Sequence, residues 1–236
     1  MRSLLILSAI FIFCTQNVYA SDAYGKFSAA RQATFSGGST ELMGSGTITE
    51  GKQQKPYNIT AKMRNMEETR LRINMENESI ALILTHGKIY DENWDEQKVS
   101  NLFAKLVSLG ILDIFLLIEI LDGERDELYR PYMNSTAKDS ITLSLSPDES
   151  KVLYEHWTSD LRGLLGAAAE EMSERELALA ESVMRQILSA LEANVLYTFH
   201  LHPETSAITQ IDIQTETAAP RARLSQSKIE VSSLSR

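Results

Sequence analysis

The sequence predicts an α+β domain: an antiparallel sheet with helices packed over one face. Two strand-rich blocks, Phe27 to Asn93 and Val195 to Val231, alternate apolar and polar residues, which is the pattern of strands with one dry and one wet side. Between them lies Asn101 to Leu121 (NLFAKLVSLGILDIFLLIEIL), apolar on every side of a helical wheel apart from Lys105, Asp113 and Glu119. A third stretch, Pro147 to Asn194, reads as a helical hairpin. A helix with no polar face must be covered, and two carboxylates in it argue against a bilayer, where each would cost about 2.5 kcal/mol or more near the centre. The expected cover is the sheet that precedes it.

The first twenty residues carry Arg2, an apolar run from Leu4 to Cys14, and then Val18-Tyr19-Ala20, the three parts of a secretory signal peptide with cleavage after Ala20. The run is too short to span a membrane, which takes about 20 residues. Cys14, the single cysteine, falls in this leader and is preceded by Ile12 and Phe13 rather than the small residues of a lipidation signal. A mature chain over 21–236 would therefore hold neither disulfides nor thiolate metal ligands and must be stabilised by its core. The expected compartment is the periplasm. The net charge of −9 becomes −10 without Arg2, and no basic stripe is present, so nucleic acid is not an expected partner.

The elements follow in order. Phe27, Ala29, Ala33 and Phe35 alternate as in a first strand, and Gly37-Gly38-Ser39 turns the chain. Glu41 to Glu50 is a strand whose Gly44 and Gly46 mark a bulge or a close backbone approach. Gly51 to Pro56 reads as a polar turn. Tyr57, Ile59, Ala61 and Met63 alternate with polar residues, as do Leu71, Ile73 and Met75. Ile80 to Thr85 is a short apolar strand, His86-Gly87-Lys88 a turn, and Ile89-Tyr90-Asp91 a returning strand. Gly110 is the candidate kink point in the apolar helix, and Asp122 to Glu127 a polar break after it. Ile141, Leu143 and Leu145 form a strand. Ser146-Pro147-Asp148-Glu149 then supplies an N-cap, a proline at N1 and a glutamate at N3. Ser173 to Glu176 opens a second helix, with Asn194 its expected stop. Val195 to Leu201, Ile208 to Ile213 and Arg223 to Val231 close the sheet.

Three patterns together resemble the periplasmic lipoprotein-carrier superfamily of LolA and LolB: Gly44-Ser45-Gly46-Thr47 opening a strand with the arginine-bearing strand Thr69–Met75 after it, the hairpin Thr85 to Asp91, and the hairpin His202 to Ile211. The chain departs from that family in its long helices over 147–194, in Ser206 where glycine is usual, and in an N-terminal helix read as short or missing. The resemblance implies a strongly curved antiparallel sheet, an incomplete barrel whose concave apolar face holds acyl chains. It also implies helices as plug and lid and a carrier role in lipoprotein sorting or envelope lipid transport. In the carriers an arginine on the sheet latches the lid; Arg64, Arg70 and Arg72 are candidates that no motif singles out.

A container of this kind needs no catalytic group. Each methylene moved out of water gains about 0.8 kcal/mol, and flexible methionine adapts to varied chains. The expected lining is Met63, Leu71, Ile73, Met75, Leu82 and Leu84 from the sheet with Phe103, Leu106, Phe115 and Leu117 from the helix. The same pattern also describes side chains packed on one another as a dry core. His200 and His202 stand two apart on a strand, a spacing of metal ligands without a third, and the glutamates of Glu170 to Glu181 read as a solvated helix surface. No nucleophile elbow, zinc-protease, P-loop or dinucleotide motif occurs, so the expectation is a non-enzymatic binder without cofactor or metal. Its partners would be the acyl chains of lipids or lipoproteins, and envelope proteins through the 147–194 helices. A sensor or interaction module of the same fold is the alternative.

Overall fold

The computed structural model describes residues 23–64, 67–86, 88–97, 106, 109–123, 126–153, 175, 178, 191–217 and 223–234. The leader over 1–20, Phe103 and most of the 147–194 hairpin lie outside these residues.

Ten strands form one antiparallel sheet: β1 Ser39–Glu50, β2 Gln53–Arg64, β3 Glu68–Met75, β4 Ser79–Thr85, β5 Lys88–Asp91, β6 Met133–Ala137, β7 Ser140–Leu145, β8 Ala193–Leu201, β9 Ile208–Thr217 and β10 Arg223–Leu234. Their order is β5-β4-β3-β2-β1-β10-β9-β8-β7-β6, so two meanders are joined where the first strand meets the last. Strands β5 and β6 remain at the two edges, and the sheet is an incomplete barrel rather than a closed one. The inward residues of both arms, from Leu82 on β4 to Leu143 on β7, belong to one buried cluster with the helices, as a curved sheet requires.

The alternation read from sequence sets the face. In β2 Tyr57, Ile59, Ala61 and Met63 are 0–2% exposed while Asn58, Lys62 and Arg64 are exposed. Cross-strand pairs Ile59–Ile73 and Ala61–Leu71 continue the dry face into β3, and Leu71–Leu82 into β4. Gly44 and Gly46 mark close approach and not a bulge, since β1 keeps unbroken register with both neighbours. A side chain at Gly46 would strike the Tyr57 ring, and one at Gly44 would strike β10 at Ile229.

Three expectations need correction. The turn after β1 is only Gly51-Lys52, and Gln53 to Pro56 already belong to β2. Pro56 is tolerated because β3 ends opposite Tyr57, leaving only β1 beside it. Asn194 is not a helix stop but lies in β8, which begins at Ala193. Residues 23–35, read as a strand through Phe27, Ala29, Ala33 and Phe35, form helix α1, so the N-terminal helix is present. Its buried stripe is Ala23, Phe27, Ala30 and Thr34, a spacing of three and four that belongs to a helix. The Phe27 ring lies 4.8 Å from that of Phe199, which faces inward from β8.

The apolar segment breaks at Gly110 (φ 76°) and resumes as helix α2, Leu112–Asp122. Every residue from Leu112 to Leu121 except Glu119 is buried. Gly123 (φ 82°) ends the helix, its N–H donating to the Glu119 carbonyl at 3.1 Å. Helix α3 is Asp126–Tyr129, followed by a 3₁₀ turn over Arg130–Tyr132. The last described helix, α4 Pro147–Leu153, starts as its capping residues require, with the Ser146 N–H donating to Glu149 Oε2 at 2.7 Å. Among the described residues no helix is long and apolar enough to cross a membrane.

Candidate functional site: the concave face and its plug

Of the ten predicted lining residues, nine fall among the described ones, and all nine come together. Met63, Leu71, Ile73, Leu82, Leu106, Phe115 and Leu117 are at most 5% exposed in the common cluster, with Met75 and Leu84 half-buried against it. Helix α2 fills the volume in front of these strands. It is covered from both directions along the chain, because β8, β9 and β10 contact it as well as the strands that precede it.

What fixes α2 there is polar. Asp113, 4% exposed, accepts hydrogen bonds from Thr215 Oγ1 (2.9 Å to Oδ2) and from the Ile114 N–H (2.9 Å to Oδ1). Tyr197, reaching in from β8, donates its hydroxyl to the Asp113 carbonyl at 2.8 Å. Ser225 on β10 hydrogen-bonds the same carboxyl and shares a 3.1 Å hydrogen bond with the buried Tyr57 hydroxyl. These small polar residues on β9 and β10, with Gly46 beneath Tyr57, clear a polar pocket in an otherwise apolar face. Burial pushes the Asp113 pKa up to about 6, although Thr215, the Ile114 N–H and Ser225 all pull it down. Burial likewise pushes Tyr57 up, with the Asp113 charge adding to the effect. Asp113 thus sits in the range where it changes charge near neutral pH.

The far end of α2 is tied to α1. Arg31 makes a bidentate pair with Asp126, both hydrogen bonds 2.6 Å, and reaches the Ile120 carbonyl at 3.3 Å. Tyr24 donates to Asp126 at 2.7 Å. Burial alone would raise the Asp126 pKa, but the Arg31 guanidinium and the Tyr24 hydroxyl hold it below the ordinary range. The near end opens on a cleft of about 620 Å³ at the rim of the sheet, lined by Glu50 from β1, Glu216 and Thr217 from β9, and Arg223 from β10.

The three arginines considered for a latch are on the other face. Arg64, Arg70 and Arg72 point outward, with Arg70 paired to Glu68 at 2.7 Å and Arg72 to Glu92 at 3.2 Å. His200 pairs with Asp212 at 2.8 Å, and His202 accepts the Glu204 and Thr205 N–H groups through Nδ1, so each has a local partner within the hairpin. Among the described residues no group of three His, Cys, Asp or Glu side chains is placed to hold a metal. The polar pocket around Asp113 and the Arg31–Asp126 pair were not foreseen. The signal was present in Asp113 within an apolar run and in serines at the inward positions of β10.

No family model and no curated protein matches the chain. Among solved structures it is similar to LprF from Mycobacterium bovis (8% identity, TM-score 0.32, 91% of this chain and 93% of that one). It is similar also to a LolA superfamily protein from Nitrosomonas europaea (8% identity, TM-score 0.35, 91% and 92%). Likeness at that level says nothing about ligand or partner. The curved, open antiparallel sheet with helices on its concave face is established by the strand order and the buried cluster of this chain.

Proposed function

We propose that this chain is an exported carrier that holds the acyl chains of a lipid or lipoprotein against the concave face of the sheet. In this reading α2 is a plug occupying the hydrocarbon site until a guest displaces it, in lipoprotein sorting or envelope lipid transport. The observation that supports it is a helix with no wet face, seated in a curved apolar sheet and anchored there by one buried acid. A core element under no demand to move would be better held by apolar packing throughout, since desolvation takes back most of what the hydrogen bonds to a buried carboxyl contribute.

The energies are matched closely enough for exchange. A sixteen-carbon chain leaving water gains on the order of 12 kcal/mol at about 0.8 kcal/mol per methylene. The eight buried apolar side chains of α2 gain about 1.5–3 kcal/mol each, and only those facing the sheet need be given up.

The test is purification of the 21–236 chain, lipid mass spectrometry of what accompanies it, and titration with a fluorescent fatty acid. Saturable binding is expected, together with faster amide exchange over Leu112–Asp122 as the guest enters. A protein that carries no lipid and gives no saturable signal overturns the proposal.

A further inference from the structure

The rim cleft beside the start of α2 has a composition that an acyl site alone does not need. Glu50 and Arg223 are cross-strand partners on β1 and β10, both on the inward face, with Arg223 Nη2 3.9 Å from Glu50 Oε1. Their side chains are only 17% and 21% exposed, so the two charges stand largely out of water, where charge recognition is stronger than on an open surface. Thr217, opposite Arg223 on the inward side, and Glu216, exposed on the outward side of the rim, line the same cleft from β9. Its volume of about 620 Å³ is in the range of small-molecule sites. It adjoins the apolar interior where Arg223 lies against Gly110, just before α2: a Cβ placed on Gly110 would lie 2.6 Å from Arg223 Nη1. A group bound at Arg223 therefore rests on the end of the plug, two strand positions from Ser225 and the Asp113 pocket.

Resting on the acyl-chain reading above, we infer that this cleft is the head-group site of the carrier and selects a zwitterion, an anionic phosphate joined to a primary ammonium. Arg223 takes the phosphate, since a guanidinium presents paired N–H donors to planar or tetrahedral oxyanions. Glu50 takes the ammonium. A singly charged amphiphile pairs with one side of the Glu50–Arg223 couple and leaves the other charge opposed by nothing it brings. A zwitterion replaces both halves of the couple at once, while its chain runs inward past Gly110.

The experiment is displacement of a fluorescent fatty acid by three amphiphiles kept below their micellar concentrations: lyso-phosphatidylethanolamine, dodecylamine and dodecanoate. The zwitterion is expected to bind at least tenfold more tightly than either singly charged probe. Arg223→Gln should weaken the zwitterion and dodecanoate about five- to tenfold and spare dodecylamine. Glu50→Gln should weaken the zwitterion and dodecylamine and spare dodecanoate. Should a variant misfold by circular dichroism, the ranking of the three probes on the unaltered chain decides. Equal binding of all three probes overturns the head-group site and leaves the acyl reading standing. Binding of none overturns the acyl reading itself.

Discussion

Helix α1 and helix α2 lie on the same face of the same sheet, yet they are fastened from opposite directions. Helix α1 has a dry stripe of Ala23, Phe27, Ala30 and Thr34 against the strands and a wet flank that includes Ala29 and Gln32. Its tie is at the border between the two, where Arg31 leaves the stripe to grip Asp126 with side chains 13% and 19% exposed. Helix α2 is buried from Leu112 to Leu121 except at Glu119, so a tie near its start has to be made out of water. Its tie is inside, through Asp113, Thr215 and Ser225. The difference teaches that sidedness decides how a helix is anchored. A one-sided helix is held at its rim by ions and tolerates change on its outer surface. A helix sunk in the core is held by buried hydrogen bonds and tolerates a new charge at none of its buried positions.

The sharpest way to break this contrast is one substitution made in both helices. Leu117→Lys puts an ammonium at a position with 0% exposure, and should cost more than about 4 kcal/mol, enough to unfold the chain or expel α2. Ala29→Lys, on the wet flank of α1, should stay within about 0.5 kcal/mol. Urea midpoints measured side by side decide the matter. Comparable losses would mean that α1 is as enclosed as α2.

Next in size is the ionic tie. Arg31→Ala leaves Asp126 partly buried with the Tyr24 hydroxyl as its remaining side-chain donor among the described residues, and should cost about 3 kcal/mol. Thermal melts at pH 7 should show the loss, and it should shrink below pH 4, because Asp126 is held ionised by Arg31 and that stabilisation disappears once the carboxyl is protonated.

Asp113 should have the opposite pH signature. Its pKa rises from an ordinary 3.8 to about 6 on folding. Below about pH 4 folded and unfolded chains are both protonated, and the acid has no effect on stability. Between about pH 4 and 6 the unfolded chain gives up its proton first, so stability falls as pH rises, and above about 6 the loss is complete. A full shift of that size corresponds to about 3 kcal/mol, and relaxation around the site should leave about 2. Asp113→Asn does not ionise: its one amide oxygen still accepts from the Ile114 N–H, and its NH2 stands where Oδ2 was, so the Thr215 hydroxyl turns from donor to acceptor. The variant should therefore gain on the wild type by about 2 kcal/mol between pH 4 and pH 8. Parallel stability curves for the two proteins would show that Asp113 does not titrate in this interval.

How far each helix could be read from the chain follows from the same contrast. Strands with one wet side declare themselves, and β2, β3 and β8 lie where alternating residues such as Tyr57, Ile59 and Ala61 place them. Helix α2 is equally plain, because an unbroken apolar run leaves few alternatives. Helix α1 is hidden in the sequence because its stripe is built of alanine and threonine around Phe27, while Phe27, Ala29, Ala33 and Phe35 also alternate over the same span; with such small side chains a period of two fits as well as 3.6. Strand β6 (MNSTA) was missed because an edge strand with mostly polar residues carries no apolar alternation. Which side chains are buried on the concave face is legible in the sequence, and the ties are not. Asp113 meets Thr215 across 102 residues and Arg31 meets Asp126 across 95, and no local pattern encodes pairings of that range.

The smallest effect probes whether the two ties are independent. Gly123 caps α2 at a φ of 82°, a conformation that costs a residue with a Cβ about 1 kcal/mol, and a Cβ there would also run into the Arg31 guanidinium. A free arginine would swing away at little cost, but this one is clamped to Asp126 by two 2.6 Å hydrogen bonds and cannot. Gly123→Ala should therefore cost about 2 kcal/mol in the wild type. With Arg31→Ala already made, only the backbone strain remains, and the same change should cost about 1. The double-mutant cycle should thus show coupling of about 1 kcal/mol between a glycine at the end of the buried helix and an arginine on the half-wet one. Additive losses would mean that the guanidinium moves aside freely. The clamp on α1 would then be no constraint on α2, and the two anchors could be released one at a time.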